Sequence, residues 1–112
     1  MRKGIWFGNI SSINYEKGCA DVTFPGKEED IKTDLPFMAS EYLMPKIGDM
    51  VVVIFHDTQG VILGRVYNDD CMPEVSGKGV FYKKLSDKAY IKYDPATETL
   101  EIKAPKVTIV QE

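Results

Sequence analysis

The single histidine, His56, stands beside a carboxylate, Asp57, and this pair comes nearest to acid–base chemistry in the sequence. General acid–base catalysis needs a nucleophile or a second base within hydrogen-bond reach of such a pair. No motif places one nearby, and the stretch His56-Asp57-Thr58-Gln59-Gly60 has the composition of a hairpin loop. We therefore interpret His56 as a loop histidine and assign no catalytic residue.

Carboxylates cluster at Glu28-Glu29-Asp30 and at Asp69-Asp70, where calcium is the metal to consider. Both clusters lack the alternating ligand spacing and the glycine of an EF-hand loop. We interpret them as solvated turns and predict no metal-ligating or cofactor-binding residue. A cell-wall hydrolase would need a carboxylate pair in a cleft, and we find no segment that would form such a cleft.

The two cysteines, Cys19 and Cys71, belong to no Cys-x-x-Cys pair and neither lies near His56 in the sequence. This spacing argues against a zinc site. In a chain made in a cytoplasm we expect two free thiols, with a single disulfide as the alternative.

A basic and aromatic cluster lies in the last third of the chain: Tyr82, Tyr90 and Tyr93 with Lys83, Lys84, Lys88 and Lys92. In some binding modules, aromatic side chains stack on the bases of single-stranded nucleic acid and basic side chains neutralise its phosphates. Asp87 and Asp94 interrupt the charge, however, and lysine stems commonly cover the apolar edge of a strand. We favour strand packing and keep nucleic-acid binding as the alternative.

The charge is unevenly distributed along the 112 residues, which carry a net charge of −3, 44% hydrophobic and 28% charged residues. Residues 1–73 hold seven Lys and Arg against eleven Asp and Glu, whereas residues 74–112 hold seven against six. This charge distribution shows no cluster of positive residues of the kind that is typical of a nucleic-acid-binding protein. The longest apolar run, Met50–Phe55, is far shorter than the roughly 20 residues of a membrane-spanning helix. The N-terminus has no apolar stretch of signal-peptide length, so we expect synthesis in a cytoplasm.

The elements that must position these residues are strands, because no segment shows sustained helical periodicity. For residues 1–73 the pattern predicts a five-stranded, small closed barrel, with strands over residues 5–15, 19–24, 31–37, 50–55 and 61–67. Gly8 predicts a bulge in the first strand, and Gly64 interrupts the fifth and predicts a bulge, a corner or a close backbone approach. Met50–Phe55 is apolar on both faces, which predicts burial on both.

Residues 74–112 are expected to form a second body, because Met72–Gly79 has the Pro, Gly and Ser content of a linker. Short strands are predicted over residues 80–82, 89–93, 100–104 and 107–110, with a hairpin turn at Asp94–Thr97. Leu100, Ile102 and Ala104 alternate onto one face of a body too small to enclose a core. We predict that other copies of the chain cover this face, and that Glu101 faces solvent so that Glu101→Lys is mild.

Two segments resemble the phage baseplate assembly protein V family, which includes the central spike proteins of contractile phages and the valine-glycine repeat protein of type VI secretion. The first is Met44-Pro45-x-x-Gly48-Asp49-x-Val51-Val52-Val53, followed by Gly60-Val61-x-Leu63-Gly64-x-Val66-Tyr67-Asn68 and Pro73. The second runs from Val80-Phe81-Tyr82-Lys83-Lys84 to Tyr90-Ile91-Lys92-Tyr93-Asp94-Pro95. The resemblance covers nearly the whole chain.

The resemblance implies an oligonucleotide/oligosaccharide-binding-type (OB) barrel over 1–73, followed over 74–112 by a linker and a threefold β-prism or β-helix needle. It implies a homotrimer, attachment to a tail hub or baseplate protein, transient contact with a membrane, and a place in a phage tail or phage-like particle. It implies no nucleic acid, no cofactor and no enzymatic activity; the alternative is an OB-fold module that binds single-stranded nucleic acid. Some spike proteins carry a lysozyme domain, and no stretch of this chain is long enough to hold one. Others end in a His-x-His pair that binds iron at the tip, and this chain lacks that pair. A separate tip protein is left open.

Overall fold

The computed structural model describes residues 2–25 and 30–112, and for Arg2, Lys3 and Asp30 it describes the backbone. The predicted acidic loop Lys27–Asp30, with its candidate carboxylates, lies outside the described residues apart from that backbone. In the described part of the chain the regular structure is all-β, as predicted, and no helix there is long and apolar enough to cross a bilayer. The chain divides into two compact units, Met1–Met72 and Pro73–Glu112.

The first unit contains a five-stranded antiparallel sheet in the order β3-β2-β1-β4-β5. Its strands are β1 (Arg2–Asn14), β2 (Cys19–Phe24), β3 (Asp30–Pro36), β4 (Met50–Asp57) and β5 (Gln59–Arg65). A parallel bridge between Phe37 and Ile62 connects the two ends of this order, so the sheet curls into a half-barrel.

The long first strand serves two partners. Its first part, Arg2–Asn9, pairs with β4, and its second part, Asn9–Asn14, pairs with β2. The two pairings overlap at Asn9, and the register with β2 skips a residue between Ile10 and Ser12. The predicted bulge at Gly8 was therefore wrong, because the irregularity lies at Ser11.

Gly8 has a packing role instead. A Cβ built there would lie 2.6 Å from Val22 Cγ1 and 2.9 Å from Phe24 Cδ1. A glycine is required because β1 crosses closely over β2 at this point. The bulge predicted near Gly64 is confirmed, since the register of β4 with β5 shifts between Val52 and Val53, opposite Gly64 and Ile62.

The core lies on the inner side of the curled sheet. It consists of Ile10, Ala20, Val22, Phe24, Leu35, Val51, Val53, Phe55 and Ile62. Trp6 packs edge-on against Phe24 and Phe55, with ring centroids 5.9 and 6.5 Å away. Alternation along β4 explains why Val51 and Val53 are buried.

The outer face of the same strands is only partly covered within the chain. Ile5, Ile54 and Val61 lie side by side on β1, β4 and β5, and Ile54 is 43% exposed. The expectation that Met50–Phe55 is buried on both faces was therefore wrong. We call this surface the outer apolar patch: Ile5, Phe7, Ile54, Val61 and Leu63, all exposed.

The second unit contains a three-stranded antiparallel sheet in the order β6-β7-β8, which we call the C-terminal sheet. Its strands are β6 (Phe81–Ser86), β7 (Ala89–Asp94) and β8 (Thr99–Lys103), and the predicted hairpin turn at Asp94–Thr97 joins the last two. The fourth predicted strand, Val107–Val110, was wrong, because these residues pair with no strand that the structure describes. A lone extended segment has no neighbour to receive its backbone hydrogen bonds.

Candidate functional site

The C-terminal sheet has two faces of opposite character. Residues directly opposite each other in neighbouring strands share a face. The rows Phe81-Tyr93-Leu100 and Lys83-Ile91-Ile102 therefore form one face, which we call the apolar face. The rows Tyr82-Lys92-Glu101 and Lys84-Tyr90-Lys103 form the other, which we call the polar face.

The apolar face is open in the single chain. Phe81, Leu100 and Ile102 are 54%, 61% and 58% exposed. Within Pro73–Glu112, all of which the structure describes, no residue is buried. A sheet of this size ordinarily needs a covered hydrophobic side to be stable in water. The geometry thus offers a contiguous surface for association.

The polar face is organised by two carboxylates. The Tyr82 hydroxyl donates to Glu74 Oε2 at 3.3 Å, and the Tyr90 hydroxyl donates to Glu101 Oε2. The rings of Tyr82 and Tyr90 lie 5.7 Å apart, and Lys103 Nζ lies 5.9 Å from the centre of the Tyr90 ring. Partial burial, and then the charge of Glu74, raises the pKa of Tyr82 above its usual value. The hydrogen bond to Glu101 raises the pKa of Tyr90.

This geometry divides the aromatic and basic cluster that the sequence suggested. Tyr82, Tyr90, Lys84 and Lys92 lie on the polar face, whereas Tyr93 and Lys83 lie on the apolar face. A base-stacking platform would need its aromatic rings together on one surface of positive potential. Here the two tyrosines that share a face are bound to carboxylates, which lower that potential.

Glu101 lies on the face opposite Ile102, as the alternation along β8 predicted. Because it accepts the Tyr90 hydroxyl, it is nonetheless part of a side-chain network. Sequence reasoning missed this role, together with that of Glu74, which lies in the predicted linker. Tyr90 lies directly across from Lys103, two residues beyond Glu101, so its contact with Glu101 is a diagonal one that the strand pattern did not indicate.

An open depression lies on the C-terminal sheet. It is lined by Lys92, Asp94, Thr97, Thr99 and Glu101. Asp94 Oδ1 accepts the Ala96 amide at 3.0 Å and so caps the β7–β8 turn, while Glu101 accepts the Tyr90 hydroxyl. Both carboxylates therefore have structural partners.

The other residues singled out by type lie apart from this sheet in the chain. His56 is the last residue but one of β4, with Nδ1 3.7 Å from Asp57 Oδ2, and its side chain is 89% exposed. The predicted hairpin loop at 56–60 is mostly strand, because β4 continues to Asp57 and β5 begins at Gln59. Among the described residues, no three His, Cys, Asp or Glu are placed to hold a metal ion.

The remaining candidates, Asp69-Asp70 and the two cysteines, lie in ordinary local structure. The Asp70 amide donates to Asn68 Oδ1 at 3.0 Å, in a turn closed by the bridge between Asn68 and Cys71. Cys19 is buried and Cys71 half-buried, and both are free thiols. Arg65 Nη1 lies 3.6 Å from Cys71 Sγ. A scan against protein-family models finds no match to this chain, and a search of curated proteins finds no relative.

Proposed function

We propose that the chain is the structural central spike of a contractile phage tail or of a phage-like injection particle. In this proposal it has no enzymatic activity, attaches to a hub and helps to pierce the envelope of a target cell. The observation that carries the proposal is the C-terminal sheet, in which three strands expose an apolar face and none of the residues Pro73–Glu112 is buried. Such a unit acquires a core when copies meet.

Three copies would meet through the apolar face. Rotation about a threefold axis brings the same side chains of each copy together, so one row of apolar residues per chain suffices for a closed core. Phe81, Leu100 and Ile102 would then lie inside, and the polar face with its carboxylates and lysines would remain outside. A β-prism of this kind fits the needle of the spike family.

The first unit is proposed to be an OB-type barrel. The order β3-β2-β1-β4-β5 and the bridge between Phe37 and Ile62 support this assignment, because a five-stranded, partly open barrel is the OB architecture. The same barrel serves many unrelated functions, so the fold alone does not support nucleic-acid binding. The acidic balance of residues 1–73 opposes it.

The barrel is proposed to carry the hub contact. The outer apolar patch supports this assignment, since Ile5, Ile54 and Val61 form a continuous exposed row over three strands. Contiguous exposed apolar surface commonly marks a site of protein association. The C-terminal sheet would then point away from the hub and lead into the target.

Light scattering tests the assembly. The full chain should give three times the monomer mass of 12.6 kDa, and a stable monomer at micromolar concentration would contradict the proposal. Removal of residues 74–112 should leave a barrel that is monomeric or weakly associated. If the shortened chain is still a tight trimer, the barrel and not the C-terminal sheet holds the copies together.

A gel shift with single-stranded DNA at low salt tests the alternative function, a module that binds single-stranded nucleic acid.

A further inference from the structure

The segment Pro73–Val80, which we call the strap, is held by the C-terminal sheet. Its composition predicted a linker between two bodies, yet it belongs to the same compact unit as β6, β7 and β8. It contacts the sheet near both of its ends, at Glu74 and at Gly79.

The first contact is an ion pair on the polar face. Glu74 Oε1 lies 2.8 Å from Lys84 Nζ, and Glu74 Oε2 accepts the Tyr82 hydroxyl at 3.3 Å. The hydrogen bond from Lys84 to Glu74 raises the pKa of the lysine, and Asp87 Oδ1 lies 3.5 Å from the same ammonium group. One carboxylate thus joins the strap to two neighbouring residues of β6.

The second contact is steric. Gly79 has φ +76°, a conformation that glycine adopts readily, and a Cβ there would lie 3.1 Å from Pro95 Cγ in the β7–β8 turn. The Val80 amide donates to the Gly77 carbonyl at 3.2 Å and closes a turn just before β6. The strap therefore follows a defined course between Glu74 and Gly79.

We propose that Glu74 is a positioning residue that directs association of the C-terminal sheet to its apolar face, the partner being a second copy of this chain. The inference rests on the proposed function. With Glu74 in place, Lys84 is paired and the strap covers part of the polar face. A copy that approached this face would have to displace the strap and bury Lys84, Lys92 and Lys103, which is costly for unpaired charges.

A second copy that approaches the apolar face has no strap to displace and few charged side chains to bury. The charged side chain of this face is Lys83, at one end of the row that continues through Ile91 to Ile102. The unit lacks a buried residue, so the area that a stable fold of this size requires must be covered from outside. Copies that meet through this face cover mainly apolar side chains, with one lysine per copy, Lys83, at the end of a row.

Oxidative cross-linking of the full chain tests which face associates. In a Cys71→Ser background, Ile102→Cys on the apolar face should give disulfide-linked chains, whereas Lys92→Cys on the polar face should not. When Glu74→Gln is added, cross-linking through Lys92→Cys should rise severalfold. Asp87→Asn, which removes the second carboxylate beside Lys84 but leaves the strap attached, is the matched control and should not produce this rise.

Trypsin reports on the strap independently. Lys78 is the basic residue of the strap and is exposed, and Lys17, exposed in the β1–β2 turn, is an internal reference site. Glu74→Gln should speed cleavage after Lys78 severalfold relative to cleavage after Lys17. The charge swap Glu74→Lys with Lys84→Glu should restore slow cleavage.

The outcomes separate the two proposals. Cross-linking of Lys92→Cys as readily as Ile102→Cys while Glu74 is intact overturns the directing role and leaves the trimer standing. Unchanged cleavage after Lys78 in Glu74→Gln also overturns it. A chain that is monomeric by light scattering and cross-links through neither position overturns the proposed function, and the directing role with it.

Discussion

Ile102 on β8 lies directly across from Ile91 on β7, and the two side chains share the apolar face. Its chain neighbour Glu101 points to the other face and accepts the Tyr90 hydroxyl. Adjacent positions of one short strand therefore serve two different surfaces, one open and apolar and one internally hydrogen-bonded.

Replacement of Ile102 by aspartate should abolish the trimer at micromolar concentration. The threefold assembly would bring three such carboxylates close together and bury them without partners. Glu101→Gln is the matched control, because the amide oxygen still accepts the Tyr90 hydroxyl, and it should retain the trimer. Light scattering and thermal unfolding report both properties. Equal effects of the two substitutions would mean that the faces are assigned the wrong way round.

Alkaline pH should weaken the C-terminal sheet selectively. Tyr82, Tyr90 and Lys84 all have a pKa raised above the usual value in the folded chain. A raised folded pKa contributes stability that is complete below the unfolded pKa and is lost as the pH rises through the folded value. The loss should therefore begin above about pH 10.

Circular dichroism melts at about pH 8 and about pH 11 measure this loss. Trp6 fluorescence, which reports on the barrel core, is the internal reference. Tyr90→Phe should reduce the pH dependence, since it removes one of the titrating groups. A sheet that keeps its melting temperature across this range would contradict the role given to these hydrogen bonds.

Gly8→Ala should destabilise the barrel by about 1–3 kcal/mol, the usual cost of overpacking a core. The new Cβ would meet Val22 Cγ1 at 2.6 Å and the Thr23 carbonyl oxygen at 2.9 Å, and a backbone atom cannot move aside cheaply. Urea unfolding followed by Trp6 fluorescence gives the free energy. Ile5→Val, at an exposed position of the same strand, should change it by less than about 0.5 kcal/mol. Equal effects would mean that Gly8 is not in close contact with β2.

Ile54→Asp should leave the fold and the trimer intact and prevent binding to the hub. Ile54 is exposed at the centre of the outer apolar patch, so a charge there costs little until a partner covers it. Pull-down of purified tail proteins with the full chain measures the effect. Ile31→Asp, the same change at an exposed isoleucine of β3, should retain binding. Loss of the hub in both variants would place the contact elsewhere.

The class of fold and the inward residues could be predicted from the sequence because alternation determines which side chains share a face. Val51 and Val53 are buried as that pattern requires. Alternation does not say which face is covered, and Ile54 is 43% exposed on the outer face of β4. Apolar residues on both faces of a strand therefore predict that both faces become buried. They do not distinguish burial within one chain from burial between chains in an assembly.

The last predicted strand was wrong for a related reason. Val107–Val110 has high strand propensity, but a strand also needs a neighbour for its backbone hydrogen bonds. The Pro and Gly of residues 73–79 predicted a linker, and contacts such as the ion pair of Glu74 with Lys84 join this segment to the C-terminal sheet. Long-range partners of one side chain leave no periodic signal in the sequence.

β1 pairs with both β2 and β4, and this arrangement affects the order in which the first unit folds. The second part of β1 joins β2 across a short turn, while its first part joins β4 over most of the length of the unit, as in the pair of Gly8 with Val51. Closing a short loop costs less entropy than closing a long one, so the β1–β2 and β4–β5 hairpins should form first. In pulse-labelled refolding, the amide protons of Ile5, Trp6 and Phe7 should then gain protection from hydrogen exchange late. The strands β6, β7 and β8 are joined by local turns, but their sheet acquires its core only when copies meet, so protection of their amides should depend on protein concentration.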